Sequence, residues 1–234
     1  WSEKSMFVSQ RGIPVTIKSP DEDDIVSQQF NYINNYFNQW ETALFADNFT
    51  DEAEGYRKYI DLDSFLRYFM IGELCGNPDI FWSVHMTKDR NSDKFVFGPV
   101  WDFDIAFDNE KRAYPTDRFN DFLYTTHVNL ASGVMRDIAN RIVKEDPAAR
   151  KRLVEMWKTA RTEQNITAES LLEYIDQTAA LLDEAQTLNF LRWKILNQKV
   201  HENPQAAGSY EGEVKVLKNY ISKRVPKMDI LIGD

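Results

Sequence analysis

Hydrophobic and polar positions near the start of the chain predict a short β segment followed by a long helix. Residues 6–17 mix alternating and β-branched positions around a glycine and a proline, which predicts one or two short strands at a sheet edge. The run Ser19-Pro20-Asp21-Glu22 combines an N-cap serine, a proline at the first helical position and acids in the first turn. Apolar residues then recur at steps of three and four up to about Phe45. The pattern predicts a helix that begins at this run and buries one face.

A second apolar stripe predicts a helix that ends just before a candidate functional loop. The helix is predicted to begin at Asp61 or Asp63, either of which can cap it, and to end at Gly76-Asn77. The proline that follows cannot continue a helix, so Asp79 is placed in a loop. Loops positioned by buried elements often carry function.

Two β-rich runs follow and predict a hairpin. Residues 81–87 and 94–100 have strand-like composition, and the polar run 88–93 between them is a turn. The acidic run Trp101-Asp102-Phe103-Asp104 leaves the second strand. We therefore expect the hairpin to bring this run back towards Asp79.

The second half of the chain predicts helices after a polar, turn-rich stretch over residues 109–121. Asp146 and Thr167 are each placed to cap a helix, and residues 203–209 predict a linker. The predicted helices span residues 134–144, 148–161, 168–185 and 212–231. The pattern indicates an α+β fold that is predominantly α-helical. We interpret residues 1–234 as a single domain whose part from residue 111 onwards is helical.

Composition and charge narrow the classes of function. With 43% hydrophobic and 13% aromatic residues, the chain can bury a large core. Its formal charge of -9 works against nucleic-acid binding, which requires clustered Lys and Arg. The single cysteine, Cys75, excludes an internal disulfide and a cysteine-based zinc site. No run approaches the ~18 apolar residues of a transmembrane helix, and the start at Trp1, without a signal-peptide pattern, predicts a cut or processed end.

Asp102 and Asp104 are the first candidates for chemistry. In an extended segment, residues two apart point to one side, which places these carboxylates about 6–7 Å apart at ~3.3 Å per residue. Such a pair can reach one hard cation such as Mg²⁺, which takes carboxylate, water and phosphate oxygens. Apolar residues at positions 101, 103, 105 and 107 are expected to hold the segment in the core, where an unpaired carboxylate is costly. The alternative is a pair of surface acids at a strand end.

Asp79 is the second candidate because of its order along the chain. A loop aspartate, two strands and a metal-binding aspartate follow one another in protein kinases, where the first acid accepts the proton of the substrate hydroxyl. Kinases have an Asn five residues after this acid, whereas this chain has Val84 there and Ser83, a weaker oxygen ligand, one residue earlier. The chain has no Gly-rich phosphate loop. The alternative for Asp79 is a turn acid after a helix C-cap.

The longer string around these acids resembles a known family, the spore-coat protein H type (CotH) kinase-like proteins. The likeness rests on Gly-Pro-Val-Trp-Asp-Phe-Asp-Ile-Ala-Phe at residues 98–107 and on Gly-Asn-Pro-Asp at residues 76–79. It covers most of the chain. A weaker closing pattern adds Trp193, Tyr210, Glu213 and residues 224–229.

This resemblance implies a minimal, atypical protein kinase that uses ATP with Mg²⁺ or Mn²⁺ to phosphorylate Ser or Thr. It implies that Asp79 is the catalytic acid–base residue and that Asp102 is the metal ligand, supported by Asp104. Ser83 is kept as a weaker metal ligand. Asn77 joins Asp102 in the predicted cofactor-binding set.

The resemblance also implies a fold, a location and a partner. The chain is expected to form a protein-kinase-like C-terminal lobe, with a nucleotide lobe supplying Lys and Glu upstream of Trp1. The expected substrate is a secreted, surface or coat protein of a bacterium, cationic or rich in Ser and Thr, and the expected location is outside the cytoplasm, including as a lipoprotein. No nucleic-acid partner is expected. Many members have Gly where this chain has Asp108.

Two other functions remain open. A degenerate kinase fold that serves as a surface or coat interaction module without catalysis is motivated by Ser83 and Asp108. A phosphatase or sugar-nucleotide transferase can also use an Asp-x-Asp motif, but normally at the end of a parallel strand, and the chain lacks the βαβ alternation that builds one.

The remaining ionisable residues give weaker signals. His85, His127 and His201 are scattered and lack the spacing of a zinc site. Glu73, in the last turn of the second predicted helix, is interpreted as a solvated charge.

Overall fold

The structure, a computed structural model, describes residues 3–118, 120–126 and 133–233, so His127 lies outside the described residues. Strand β1 (Met6–Val8) pairs antiparallel with β2 (Pro14–Thr16), and β3 (Met86–Thr87) pairs antiparallel with β4 (Val96–Phe97). The α-helices in these ranges are α1 (Ser27–Phe45), α2 (Leu62–Cys75), α3 (Leu123–Thr126), α4 (Gly133–Val143), α5 (Pro147–Thr162), α6 (Ala168–Leu181), α7 (Asp183–Arg192) and α8 (Tyr210–Ile232). These elements confirm an α+β, predominantly helical fold. Within the described ranges, no helix combines the length and the apolar character that crossing a bilayer requires.

The predicted start of α1 at residues 19–22 is wrong, since the helix begins at Ser27. Asp21 folds the chain into a turn instead, because its carboxylate accepts hydrogen bonds from the amides of Asp23 and Asp24 at 3.0 and 3.1 Å. Side-chain bonds of this kind compete with the backbone bonds of a helix. The apolar stripe up to Phe45 is confirmed.

A buried carboxylate fastens the first hairpin to α1. Glu41 of α1 is buried, and it accepts hydrogen bonds from Ser9 Oγ at 2.7 Å and from the Arg11 amide at 3.3 Å. Phe7 of β1 adds a T-shaped ring contact to Phe37, with centroids 5.9 Å apart. Because a buried carboxylate is tolerated only where hydrogen bonds satisfy it, these bonds fix the hairpin on the helix.

An aromatic core fills the space between α1, α2 and the second hairpin. Trp40 of α1 lies 6.2 Å from Phe95 and 6.1 Å from Phe97, and Phe65 of α2 lies 5.0 Å from Phe97, all between ring centroids. The edge-on geometry of these pairs is the favoured one for aromatic rings. Ser64 Oγ also accepts the Phe97 amide at 3.0 Å, which attaches β4 to α2.

The second hairpin is confirmed, but it is much shorter than predicted. Of residues 81–87, only Met86 and Thr87 form a strand. The chain before them turns, with the Trp82 amide donating to the Asp79 carbonyl at 2.9 Å. Phe81 is buried in the core, but Trp82 beside it is 52% exposed, so the aromatic composition of this run does not mark a strand.

The predicted helices in the second half are confirmed, with one correction. Asp146 and Thr167 cap α5 and α6 through their side chains, as predicted. The helix predicted over residues 168–185 is interrupted at Leu182, whose ψ of 1° leaves the helical region, and α7 then continues to Arg192.

A buried ion pair joins α2 to α8 and to the start of α3. Arg224 donates from Nη2 to Glu73 Oε2 at 2.9 Å and from Nε to the Glu73 carbonyl at 2.8 Å. The amides of Leu123 and Tyr124 donate to the two oxygens of the same carboxylate at 2.8 and 3.1 Å. The interpretation of Glu73 as a solvated charge is therefore wrong, since this residue is 1% exposed.

We expect Glu73→Gln to destabilise the fold by about 3–5 kcal/mol, because it leaves the guanidinium of Arg224 buried without its counter-charge. For a chain of this length the loss corresponds to a Tm lower by roughly 6–20 °C, measurable by calorimetry and chemical denaturation. The control is Arg152→Met, which removes an exposed ion pair to Asp63 and should cost about 1 kcal/mol or less. A loss for Glu73→Gln no larger than the control's would contradict the assigned role.

Candidate functional site

The loop after α2 is set by a glycine and an asparagine. Gly76 has a φ of 64°, and a Cβ at this position would lie 2.4 Å from the hydroxyl oxygen of Tyr220. Asn77 is buried, and its Oδ1 accepts the Asp79 amide at 3.0 Å. Its Nδ2 reaches the Asp102 carbonyl at 3.4 Å. Asn77 therefore joins the two loops that carry the candidate aspartates.

The segment after β4 is irregular rather than extended, which corrects the predicted strand alternation. Asp102, Phe107 and Asp108 have φ values of 59°, 59° and 64°, in the left-handed region. Non-glycine residues persist there only where their surroundings hold them. The Phe107 amide donates to the Cys75 carbonyl at 2.7 Å, and Asp108 accepts the Thr116 amide at 2.8 Å. The end of α2 and the Thr116 turn thus hold the segment in place.

The apolar residues of this segment are buried only in part. Phe103 packs against the main core and Phe107 against the cluster that includes Tyr220 of α8. Trp101 is exposed, contrary to prediction, and its Nε1 donates to the Ser83 carbonyl at 2.9 Å. The ring therefore covers the loop that carries Ser83 rather than filling the core.

Asp102 and Asp104 lie against each other at the surface. The hydrogen bond between their side chains and the charge of Asp104 raise the pKa of Asp102, and slight burial and the charge of Asp79 add to the rise. Two carboxylates in contact are rarely ionised together unless a proton or a cation lies between them, because their charges repel. The pair therefore favours a proton or a cation beside it.

Asp79 is paired with an arginine that the sequence did not single out. Arg112 Nη2 lies 3.2 Å from Asp79 Oδ1, and Arg112 Nε lies 2.7 Å from Oε2 of the buried Glu110. Glu110 therefore holds the Arg112 guanidinium in place while the guanidinium contacts Asp79. Arg112 lies in the turn-rich stretch, where no local pattern indicates which arginine turns inwards.

One cavity of about 230 Å³ gathers the predicted residues. Those that line it are Asn77, Asp79, Ser83, Asp102 and Asp104. Arg112 and His201 line it as well, although the sequence patterns assigned neither residue to a site. The chain thus brings together residues from the loop after α2, from the segment after β4 and from the loop after α7.

The residues fit an open cation site rather than a closed one. Among the described residues, no group of three or more His, Cys, Asp or Glu side chains is arranged to hold a metal ion. Mg²⁺ commonly needs only one or two carboxylates, since water and substrate phosphates complete its shell. The mutual contact of Asp102 and Asp104 matches that smaller requirement.

We expect Asp104→Asn to raise the Tm at neutral pH, because it removes the charge that faces Asp102. A carboxyl whose pKa is raised on folding binds more protons in the folded state, so wild-type stability falls as pH rises from ~3.9 through the raised pKa. The variant has no charge at residue 104, so its stability does not fall over this pH range. Its Tm should exceed that of the wild type at pH 7 and equal it near pH 3.

The control for this comparison is Asp89→Asn, in the exposed turn of the second hairpin. Its Tm difference from the wild type should be the same at both pH values. If Asp104→Asn behaves like this control, the two carboxylates do not repel each other. NMR titration of the Asp102 carboxyl then gives the direct measurement.

One comparison with known proteins assigns a family to this chain. A protein-family model described as CotH kinase protein matches residues 3–228, which is nearly the whole chain. No curated protein and no solved structure matches the chain. The matched range includes α2, the second hairpin, the aspartate segment and most of α8. The chain therefore belongs to the CotH kinase family.

Proposed function

We propose that the protein transfers the γ-phosphoryl group of ATP to a Ser or Thr hydroxyl of a protein, with the help of Mg²⁺ or Mn²⁺. The observation that carries the proposal is the convergence of Asp79 and the Asp102–Asp104 pair on one cavity in a chain of the CotH kinase family. Kinase-type transfer needs one acid at the substrate hydroxyl and others at the metal. We also propose that the helices form a kinase-like C-terminal lobe and that the substrates are secreted, surface or coat proteins.

Asp102 and Asp104 are the residues that would hold the cation. A bound divalent ion neutralises phosphate oxygens during transfer, which is the chemistry that this pair would bring to the cavity. The Ser83 hydroxyl would add a weaker oxygen ligand at the rim. Asn77 was expected to bind the cofactor, but its buried amide is engaged with Asp79 and Asp102. We therefore assign Asn77 to positioning these two residues.

Asp79 would act on the substrate hydroxyl. As the hydroxyl oxygen forms its bond to the γ-phosphorus, the bond from that phosphorus to ADP breaks and the hydroxyl proton passes to the Asp79 carboxylate. Among the described residues, hydrogen bonds reach only Oδ1 of Asp79, from Arg112, so Oδ2 can face the substrate. Arg112 holds the carboxylate in one orientation.

In the full-length protein, Asp102→Ala should lower γ-phosphate transfer from ATP and Mg²⁺ by roughly a thousand-fold, because the charge that would hold the cation is lost. Transfer of radiolabelled phosphate to the protein itself or to a Ser/Thr-containing substrate measures the effect. Asp89→Ala, on the exposed hairpin turn, is the matched control and should keep wild-type activity. Wild-type transfer by Asp102→Ala would end the assignment of this site.

An interaction module without catalysis is the second candidate. It is favoured by the Arg112 contact to Asp79 and by the lack of the kinase Asn, where this chain has Val84 with Ser83 one residue earlier. A nucleotide site would respond to ligand even without transfer, since a ligand that binds only the folded state stabilises it. With ATP and Mg²⁺ at about a hundred times Kd, we expect the Tm to rise by roughly 5–10 °C. Asp102→Ala should remove the shift. No shift in the wild type would favour the module.

A further inference from the structure

The guanidinium of Arg112 lies between two acids at the edge of the cavity. Its Nε donates to Glu110 Oε2 at 2.7 Å, and its Nη2 donates to Asp79 Oδ1 at 3.2 Å. Glu110 is fully buried, whereas the Arg112 side chain is 35% exposed and lines the cavity. The buried acid therefore fixes one side of the guanidinium, and the other side is open to the cavity.

The backbone of Arg112 is held as well as its side chain. Its amide donates to the same Glu110 oxygen at 3.1 Å, and its carbonyl accepts a hydrogen bond from Arg118 Nη2 at 2.9 Å. The amide of the preceding residue, Lys111, donates to the Glu202 carbonyl at 3.0 Å. A side chain that is already fixed loses little conformational freedom when it binds a ligand. Arg112 is therefore preorganised for binding.

Part of the guanidinium remains available for a further hydrogen bond. An arginine side chain has five N–H donors, and the contacts to Glu110 and Asp79 use one on Nε and one on Nη2. Three donors remain, two of them on Nη1, and no described residue accepts a hydrogen bond from that atom. Solvent reaches Nη1 of Arg112, unlike Nη1 of Arg224, which is buried without a partner.

The charges of the cavity indicate what these donors would bind. Arg112 is the only Lys or Arg among the described residues that line it, beside Asp79, Asp102 and Asp104. A phosphoryl group next to Asp79 would face a like charge, yet Asp79 must lie close to it to take the hydroxyl proton. Arg112 can bind oxygens of that group while it holds Asp79. Arginine suits this role because its planar fork of donors matches phosphoryl oxygens.

We propose that Arg112 is a catalytic residue that donates hydrogen bonds from Nη1 to oxygens of the phosphoryl group in transfer. This assignment rests on the proposed function, because the group it contacts is the one that ATP donates. As the bond from phosphorus to ADP breaks and the bond to the hydroxyl oxygen forms, negative charge is spread over the equatorial oxygens. A guanidinium that is already in position stabilises this charge without rearrangement.

Binding measurements separate a phosphoryl contact from a role in orienting Asp79 alone. The full-length protein with Mg²⁺ is titrated calorimetrically with ADP and with a non-hydrolysable ATP analogue that keeps the γ-phosphate. Arg112→Lys should weaken binding of the analogue by about tenfold, the size of one lost charge-assisted hydrogen bond. Its affinity for ADP should stay within about twofold of the wild type, because ADP lacks the group that Arg112 contacts.

A double variant removes the guanidinium without leaving a buried charge unpaired. Arg112→Gln combined with Glu110→Gln neutralises both partners of the pair, and it should show the same selective loss of analogue binding. Its rate of phosphate transfer should fall by roughly a thousand-fold, as when an arginine is removed from a transferring phosphoryl group. The matched control is Arg67→Met, which removes an exposed ion pair to Asp63 on α2 and should change neither affinity nor transfer.

Three outcomes would overturn the assignment, with the fold of each variant checked by circular dichroism. If the wild type transfers phosphate and both Arg112 variants bind the analogue and ADP in the wild-type ratio, Arg112 only positions Asp79 and the proposed function stands. If either variant transfers phosphate faster than the wild type, the contact to Asp79 is inhibitory. If the wild type neither binds the analogue nor transfers phosphate, the proposed function fails, and the role of Arg112 fails with it.

Discussion

The carboxylate of Glu73 accepts hydrogen bonds from three donors, and the last turn of α2 is held among them. Arg224 of α8 approaches from one side, and the amides of Leu123 and Tyr124 approach from another. One helical turn before Arg224, Tyr220 donates to the Leu74 carbonyl at 2.8 Å, and its hydroxyl closes against Gly76. The end of α2 therefore has a single position relative to α8.

This buried ion pair matters more for position than for net stability. Burial raises the pKa of the Glu73 carboxyl, while Arg224 and the two amides oppose that rise. Desolvation of both charges offsets much of their attraction, so such pairs contribute little net free energy although breaking one is costly. The pair fixes the position at which α2 ends. Hydrogen bonds of Asn77 and of the Cys75 carbonyl then hold the segments of Asp79, Asp102 and Phe107 against this helix end.

Sequence patterns predicted those parts of the helical framework that depend on residues close together in sequence. The Asp61 cap, the Gly76 end of α2 and the caps of α5 and α6 involve bonds within a few residues, and all are confirmed. The patterns were wrong where a residue distant in sequence determines the environment of a side chain. Glu73 lies 151 residues from Arg224, so no local signal separates it from a solvated acid. Arg112 and His201 reach the cavity from loops without periodicity. The Asp21 turn shows the reverse case, in which a local side-chain bond displaced a helix start.

The end of α2 and the acids beside it differ in how favourable their local structure is. The helix end is fixed by buried hydrogen bonds, whereas Asp102 has a positive φ and lies beside a like charge at the surface. Unfavourable local features of this kind persist only when the surrounding structure holds them, and they concentrate at functional sites. The buried bonds at the end of α2 therefore hold in place two acids that repel each other, and a cation bound between them would relieve that repulsion.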